Sequence, residues 1–272
     1  MNIVCLSYGK DSAAMVLRMI EINQLVETHL GSRFIPYPID KILYGDTEHE
    51  YPDHEKYIIR FNKILKEKGY TVKVVKAEKP FEYWFYGKVT RGKNKGKVRG
   101  FPLLAYSCYL MRESKVYALQ REYSKTDNVY IGIAYDEKER MSKTNKNIHY
   151  PLIEWGWTEK MCADYLNKKG LLNPLYVNFN RLGCWFCPKQ SKMSLYILWK
   201  NYPDLWKKYI WWDNETMREC GRWIRDWSLT SLQISFEKGW IPTKGHPKYK
   251  CSEGCEGVKN AFKERQCSLN DY

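Results

Sequence analysis

Two short stretches of this 272-residue chain concentrate the residues that do chemistry. The first is Ser7-Tyr8-Gly9-Lys10-Asp11-Ser12, set between the apolar run Asn2-Ile3-Val4-Cys5-Leu6 and a segment with helical periodicity at Met15, Leu17, Met19 and Ile20. A helix start presents unpaired backbone N–H groups and the positive end of its dipole, which together attract anions. Gly9 lets an anion approach the backbone, Lys10 adds a full charge, and Ser7 and Ser12 add hydroxyl donors. The stretch reads as a phosphate cradle, with the Lys10 ammonium expected to find its partner in the ligand rather than in the protein. It differs from the Walker pattern, which needs Gly, four residues, then Gly-Lys-Ser/Thr.

The second is Cys184-Trp185-Phe186-Cys187, flanked by Gly183 and Pro188. A Cys-x-x-Cys pair spans a tight turn that aims both thiolates at one metal or cluster. A redox dithiol also uses this spacing, but usually within a thioredoxin-like unit, which is absent. Near the C-terminus, Cys251 and Cys255 offer partners, and a tetrahedral Zn2+ site from Cys184, Cys187, Cys251 and Cys255 fits the spacing rules. An iron–sulfur cluster, zinc and free thiols all stay open. Cys5 in a strand, Cys162 on a helix and Cys220 in a tryptophan stripe read as structural thiols. The five histidines show no paired metal spacing.

The elements that must position these residues alternate. Strands are expected at residues 2–6, 42–44, 71–75 and 129–134, with helices at 12–23, from about Asp53 with Tyr57, Ile58, Phe61 and Leu65 on one face, and at 110–122. This order predicts an α/β fold with a doubly wound parallel sheet, whose ligands sit beyond the carboxyl ends of its strands. Ten of the eleven tryptophans lie beyond residue 150, where strand-like runs become scarce. An α/β region over 1–150, carrying the phosphate cradle, and a helical, aromatic-rich region over 151–272 are expected. Helices are expected there at 158–169, at 195–202 up to Pro203, and at 214–227. The tryptophan stripe reads as core rather than as a base-stacking platform.

Composition narrows the class. At 44% hydrophobic and 15% aromatic the chain has ample material for a core, and no run approaches a membrane span. The start lacks a basic leader, so a cytoplasmic protein is expected. Forty-five basic against 31 acidic residues give +14, which suits a solvated surface or a polyanionic partner such as DNA or RNA. Residues 87–99 carry six basic residues and no acidic one, as a solvated loop or an anion-facing flap.

The loop at 7–12 resembles the PP-loop ATP-pyrophosphatase superfamily, whose signature is Ser-Gly-Gly-Lys-Asp-Ser; Tyr8 replaces the first glycine. Further motifs resemble its phosphoadenylyl-sulfate (PAPS) reductase branch. They are Asp46-Thr47 with Tyr51-Pro52-Asp53, and Gly132-Ile133-Ala134 with Asp136-Glu137 and Arg140, where Ala134 stands for an expected arginine. Pro151-Leu152-Ile153-Glu154-Trp155, Asn173-Pro174-Leu175-Tyr176 and Arg181 to Pro188 follow in the family's order. The resemblance implies an adenine nucleotide alpha hydrolase-like, Rossmann-like sheet. It also implies ATP or a related adenine nucleotide with Mg2+, bound by Ser7, Tyr8, Gly9, Lys10, Asp11, Ser12, Asp46, Thr47, Gly132 and Arg140, with Lys10, Asp11 and Asp46 as catalytic candidates. Asp46 would lie near the ribose or the magnesium ion; a helix cap is its plainer role.

Cluster-bearing members of the branch complete a [4Fe–4S] site with an upstream Cys-Cys. Here that place reads Ser107-Cys108, and Cys108 precedes Cys184 by 76 residues. The resemblance therefore implies Cys108, Cys184 and Cys187 as ligands of a three-cysteine cluster with an open iron position; alternatively Cys251 or Cys255 supplies a fourth ligand. The reductases' Glu-Cys-Gly-x-His tail is missing, because the chain ends Arg265-Gln266-Cys267-Ser268-Leu269-Asn270-Asp271-Tyr272. The leading expectation is ATP-dependent adenylyl transfer to an acceptor, with sulfur transfer on a nucleic acid and a sulfur-donor protein as partner. Reduction of adenylyl sulfate or its 3′-phosphate, and a non-catalytic nucleotide- or nucleic-acid-binding module, are the alternatives.

Overall fold

The computed structural model describes residues 1–30, 35–100, 108–142, 145–187, 190–217 and 228–243. β1 (Asn2–Cys5) is followed by α1 (Lys10–Leu30), β2 (Lys41–Asp46), α2 (Pro52–Glu67), β3 (Val72–Lys76) and the short α3 (Phe81–Phe85). A π-helical turn over Met111–Tyr117 passes into α4 (Ala118–Gln120), then come β4 (Asn128–Ile131), a 3-10 segment Tyr135–Arg140 and β5 (Ile148–His149). Beyond them lie α5 (Pro151–Glu154), α6 (Glu159–Lys168), a 3-10 turn Pro174–Val177, α7 (Lys192–Asn201), α8 (Pro203–Met217) and α9 (Leu229–Glu237).

The strands form one sheet in the order β3-β2-β1-β4-β5, and every pairing is parallel. This is the α/β fold expected from the sequence. The order reverses between β1 and β4, and the crevice beyond the carboxyl ends of those two strands is where such sheets bind ligands. The strands read as continuous apolar runs because both faces are covered. Val4, Ile42, Tyr44 and Tyr130 pack with α1, Tyr57, Phe61 and Leu65 of α2, and Cys162 and Leu166 of α6. Ile3, Leu43 and Val129 face the other way, against Leu119 and Tyr123. A third, aromatic cluster joins Phe81, Phe85 and Tyr109 to Trp185, Phe186, Trp206, Tyr209, Trp212 and Phe236. Trp185, Trp206 and Trp212 are therefore core, while the stripe itself, with Cys220, Trp223 and Trp227, lies outside the described residues.

Several boundaries differ from the sequence reading. α1 runs from Lys10 to Leu30, longer than 12–23, because its buried face is nearly all apolar while Gln24, Glu27 and His29 keep its last turns soluble. The helix expected at 110–122 is π-helical over Met111–Tyr117. β4 stops at Ile131, where the Ile133 N–H turns back to the Ile131 carbonyl (3.0 Å). Pro203 does end one helix, but it also opens α8, because proline fits the first turn, where an N–H has no helical partner. That helix runs to Met217 and so contains the expected start at Asn214; residues 218–227 lie outside the described ones. β5, only two residues long, was not expected.

One contact fixes the geometry at the switch point. A Cβ added to Gly132, just past β4, would lie 2.7 Å from the Ser12 Cα and 2.9 Å from its N. Backbone meets backbone there. Gly132→Ala should therefore push β4's exit off the first turn of α1 and lower stability by about 1–3 kcal/mol. Urea unfolding measures this, and an unchanged midpoint would mean that α1 yields without cost.

Candidate nucleotide and thiol site

The 7–12 loop leaves β1 with the Ser7 N–H donating to Ser12 Oγ (3.0 Å), and the Ser12 hydroxyl donating to the Gly9 carbonyl (3.2 Å). These bonds close the loop on itself. Its sharpest turn falls on Tyr8, at φ +54°, a left-handed conformation that costs a non-glycine residue about 1–2 kcal/mol. The ring offsets that cost. It is fully buried, edge-on to Tyr44 (4.9 Å) and Phe61 (5.8 Å), and its hydroxyl donates to Asn62 Oδ1 (2.6 Å). Tyr8 thus lends the loop its backbone, while its side chain anchors the turn to α2. A Cβ on Gly9 would meet only the Ser7 and Tyr176 hydroxyls, both at 3.4 Å, so this part of the loop is walled by hydroxyls.

Lys10 does not wait for a ligand. It is 4% exposed, its ammonium lies 3.2 Å from Glu159 Oε1 and 3.4 Å from Asp11 Oδ2, and it sits 5.4 Å from the Tyr176 ring centre. Its backbone N–H donates to the Tyr176 hydroxyl (3.0 Å). The expectation of a lysine partnered only by ligand is corrected: α6 packs along α1 and brings Glu159 to it. Burial pushes the Asp11 carboxyl up to about 6; Lys10 opposes the shift and Glu159 adds to it. Asp11 Oδ1 is buried without a hydrogen-bond partner among the described residues. Of the other expected nucleotide ligands, Gly132 abuts Ser12, whereas Arg140 is exposed and ion-paired with Glu137.

The second cluster lies past β2. Asp46 does not cap α2, whose N-cap is Tyr51. Its Oδ1 accepts the Glu48 N–H (2.8 Å), and Lys76 Nζ lies 3.6 Å from its Oδ2. Thr47 is buried and donates to Glu50 Oε1 (3.1 Å), which also receives Lys115 Nζ (3.4 Å). The Cys184 thiol donates to Thr47 Oγ1 (3.5 Å), and the Trp185 N–H donates to the His49 carbonyl (3.0 Å). The Cys-x-x-Cys turn is closed by the Cys187 N–H on the Cys184 carbonyl (2.9 Å). Lys115 reaches in because Gly45 has no side chain; a Cβ there would lie 3.2 Å from the Lys115 Cα. Burial alone would raise Glu50 and lower Lys115. Their mutual attraction outweighs it, holding Glu50 below and Lys115 above their ordinary values. Burial, helped by the Glu50 charge, pushes the Cys184 thiol up to about 12, so it stays protonated at neutral pH.

Cys108 packs at the edge of the same aromatic cluster as Cys184, and its sulfur accepts the Met111 N–H (3.5 Å). Soft thiols suit a cluster or zinc chemically, yet among the described residues no three His, Cys, Asp or Glu side chains are gathered to hold a metal ion. The turn supplies a two-thiol half-site; Cys251 and Cys255 lie outside the described residues. Cys5, pushed up to about 12 by burial, and the buried Cys162 are structural, as expected.

Sequence reasoning did not single out Tyr176, Glu159 or Glu50 as site residues. Two signals were present: Tyr176 closes the Asn173-Pro174-Leu175-Tyr176 landmark, and Glu159 follows Thr158, which caps α6 by accepting the Met161 N–H (3.3 Å). The raised Asp11 carboxyl, against 3.8 in the unfolded chain, makes a testable statement. The folded state holds that proton more tightly, so this stabilising contribution is full below about pH 4 and lost as pH rises through about 6. Asp11→Asn should flatten that part of the profile and gain on the order of 2 kcal/mol relative to wild type between about pH 4 and pH 8. Parallel urea profiles for the two proteins would show the carboxyl to be unshifted.

The model of the phosphoadenosine phosphosulfate reductase domain matches residues 1–190. Over 103 residues, 38% of this chain, the sequence is 26% identical to an uncharacterized protein of Methanocaldococcus jannaschii, and the match spans only 25% of that protein. The crystal structure of phosphoadenylyl-sulfate reductase from Candida auris, in its phosphate complex, superposes with a TM-score of 0.44 at 14% identity, covering 69% of this chain and 83% of that one. Since the matched domain spans well over half of the sequence, the chain belongs to the phosphoadenosine phosphosulfate reductase domain family.

Proposed function

We propose that this chain binds ATP, with Mg2+, beyond the carboxyl ends of β1 and β4 and transfers its adenylyl group to an acceptor oxygen. We read the transfer as the activating step of sulfur transfer onto a nucleic acid, with a sulfur-donor protein as further partner. The observation that carries this reading is the loop at the switch point, where Lys10, the first residue of α1, joins a charged side chain to helix-start N–H groups. The acceptor oxygen bonds to the α-phosphorus, the bond from that phosphorus to the bridging oxygen breaks, and pyrophosphate leaves with the electron pair. Lys10 and the first-turn N–H groups stabilise the charge that gathers on the leaving group. Mg2+ bound with the nucleotide supplies neutralisation of phosphate charge, and Asp11, with its buried unbonded Oδ1, is a carboxylate that fits it. Asp46 and Thr47 are assigned to the ribose side, and Arg140 to the rim.

The family match equally favours reduction of phosphoadenylyl sulfate, with sulfite as product and a thiol as donor. The activities separate cleanly. Pyrophosphate from ATP supports adenylyl transfer; sulfite from phosphoadenylyl sulfate supports the reductase; tight nucleic-acid binding with neither supports a binding module. Lys10→Ala should weaken nucleotide binding about tenfold or more, the worth of a charge-assisted hydrogen bond, and remove most turnover. It should also lower stability, since Asp11 and Glu159 lose their shared cation. Calorimetric titration well below the melting temperature separates the two effects, and unchanged nucleotide affinity would defeat the assignment.

For the thiols we propose a soft-metal role, a [4Fe–4S] cluster first and Zn2+ second, with no step of the transfer routed through it. Cys108, Cys184 and Cys187 are the proposed cluster ligands, with Cys251 or Cys255 as fourth. Cys108→Ala, purified anaerobically, should lose iron and brown colour. Retention of stoichiometric zinc instead would favour Cys184, Cys187, Cys251 and Cys255.

A further inference from the structure

Residues 87–100 are left unused by the site. They fold as a small hairpin, with an antiparallel bridge between Lys88 and Val98 and the Val89 N–H on the Lys97 carbonyl (2.9 Å). Its root is fixed. The Arg99 guanidinium lies 5.6 Å from the Trp84 ring centre and 5.5 Å from that of Tyr109, the Gly100 N–H donates to the Phe85 carbonyl (2.9 Å), and the Tyr109 hydroxyl donates to the Gly100 carbonyl (2.9 Å). Lys88, Arg91, Lys93, Lys95 and Lys97 are all exposed, and none forms an ion pair among the described residues. Elsewhere lysines such as Lys41, Lys73, Lys76, Lys160 and Lys169 do pair with carboxylates. At physiological salt, charges within about 8 Å of one another still repel, so five cations on one hairpin favour a polyanion laid along it.

Beside the root, Tyr83 and Tyr86 are 57% and 43% exposed. Exposed rings next to a basic strip are how single strands are held, with bases on the rings and phosphates on the cations. The location matters as well. Phe81 and Phe85, on the same short helix as Tyr83, pack against Trp212 at 4.8 and 5.6 Å, and Phe81 lies 5.0 Å from Phe186, between Cys184 and Cys187. The hairpin root and the thiol turn therefore share one rigid cluster.

We infer that this hairpin is the arm by which the chain holds a single-stranded nucleic acid, its cations on the phosphates and Tyr83 and Tyr86 under the bases. The inference rests on the reading of a nucleic-acid acceptor and goes beyond it by assigning the gripping element. A flap over a mononucleotide is the competing role, but the cations run from Lys88 on one flank, over Arg91, Lys93 and Lys95 in the turn, to Lys97 on the other flank, a strip along the hairpin rather than a single point.

The test is fluorescence anisotropy with a labelled oligothymidylate across about 50–200 mM salt, together with calorimetric titration of ATP. Simultaneous Lys93→Ala, Lys95→Ala and Lys97→Ala should reduce the slope of log affinity on log salt by about 2, at roughly 0.7 per phosphate contact on a single strand. ATP affinity should be unchanged. Tyr83→Ala with Tyr86→Ala should weaken binding about fivefold or more at every salt concentration with the slope preserved. If the oligonucleotide binds but the triple variant keeps the wild-type slope, the arm is wrong and the acceptor reading stands. The arm is likewise overturned if the triple variant loses ATP affinity, which identifies a flap, or if the matching duplex binds more tightly than the single strand. Wild-type protein that binds no oligonucleotide removes the nucleic-acid acceptor itself, and the arm with it.

Discussion

Tyr8 in a left-handed backbone conformation is held there by burial, and much else follows from that. The turn after β1 must reverse within a few residues so that α1 starts with its N–H groups facing the strand ends. Glycine would make this turn without strain, but it would leave the turn free to relax. A tyrosine makes it at a cost of about 1–2 kcal/mol and binds it to the interior with a ring whose burial contributes more than that. The ring touches Tyr44 of β2 and Phe61 and His54 of α2, and bonds Asn62. The loop's shape is thereby fixed by the core on one side and by the Gly132–Ser12 contact on the other. Preorganised donors of this kind do not have to be reoriented when charge develops on a phosphate.

The two polar clusters use the same electrostatic device. In each, a partly or wholly buried lysine is held by a carboxylate from a different element, Glu159 for Lys10 and Glu50 for Lys115, and Lys10 also meets its neighbour Asp11. Around Lys10 there are two carboxylates for one cation, and burial, helped by the Glu159 charge, drives Asp11 toward its protonated form against Lys10. An anion entering the loop meets less repulsion when that proton is present. Around Lys115 the balance is one to one, both groups stay ionised, and the neighbouring Cys184 keeps its proton.

The fold was legible because parallel strands buried on both faces write themselves as short apolar runs, and the loop because glycine, lysine and serine at a helix start have a physical meaning of their own. Other features were silent for identifiable reasons. β5 is two residues long, too short for any periodicity. The π-helix packs its Ser114 and Lys115 backbone against Gly45 of a distant strand, a contact no local pattern records. Glu159 reaches Lys10, and Tyr176 reaches the Lys10 N–H, across more than 140 residues. Such contacts belong to the tertiary arrangement, and sequence order signals them only through the landmarks in which these residues sit. Tyr8 was legible as an exception to a glycine signature, but its role as a core anchor depended on where α2 would lie.

The aromatic cluster explains why so many large rings are used in one region. His49, Phe81, Trp185, Phe186 and Trp212 meet at ring-centre distances of 4.8 to 6.3 Å, and Trp185 stacks on Trp212 with the planes 6° apart. Packed rings have few rotamers to lose and each buries a large area, so they hold a loop more rigidly than aliphatic side chains would. The loop so held is the Cys-x-x-Cys turn, whose second and third residues are themselves two of the rings. His49, on the segment joining β2 to α2, contributes both a ring to the stack and a carbonyl to the Trp185 N–H, and burial keeps its imidazole below the usual titration range. The nearby Lys208 charge adds to that lowering. The thiol turn is thus positioned by hydrophobic packing of its own two rings.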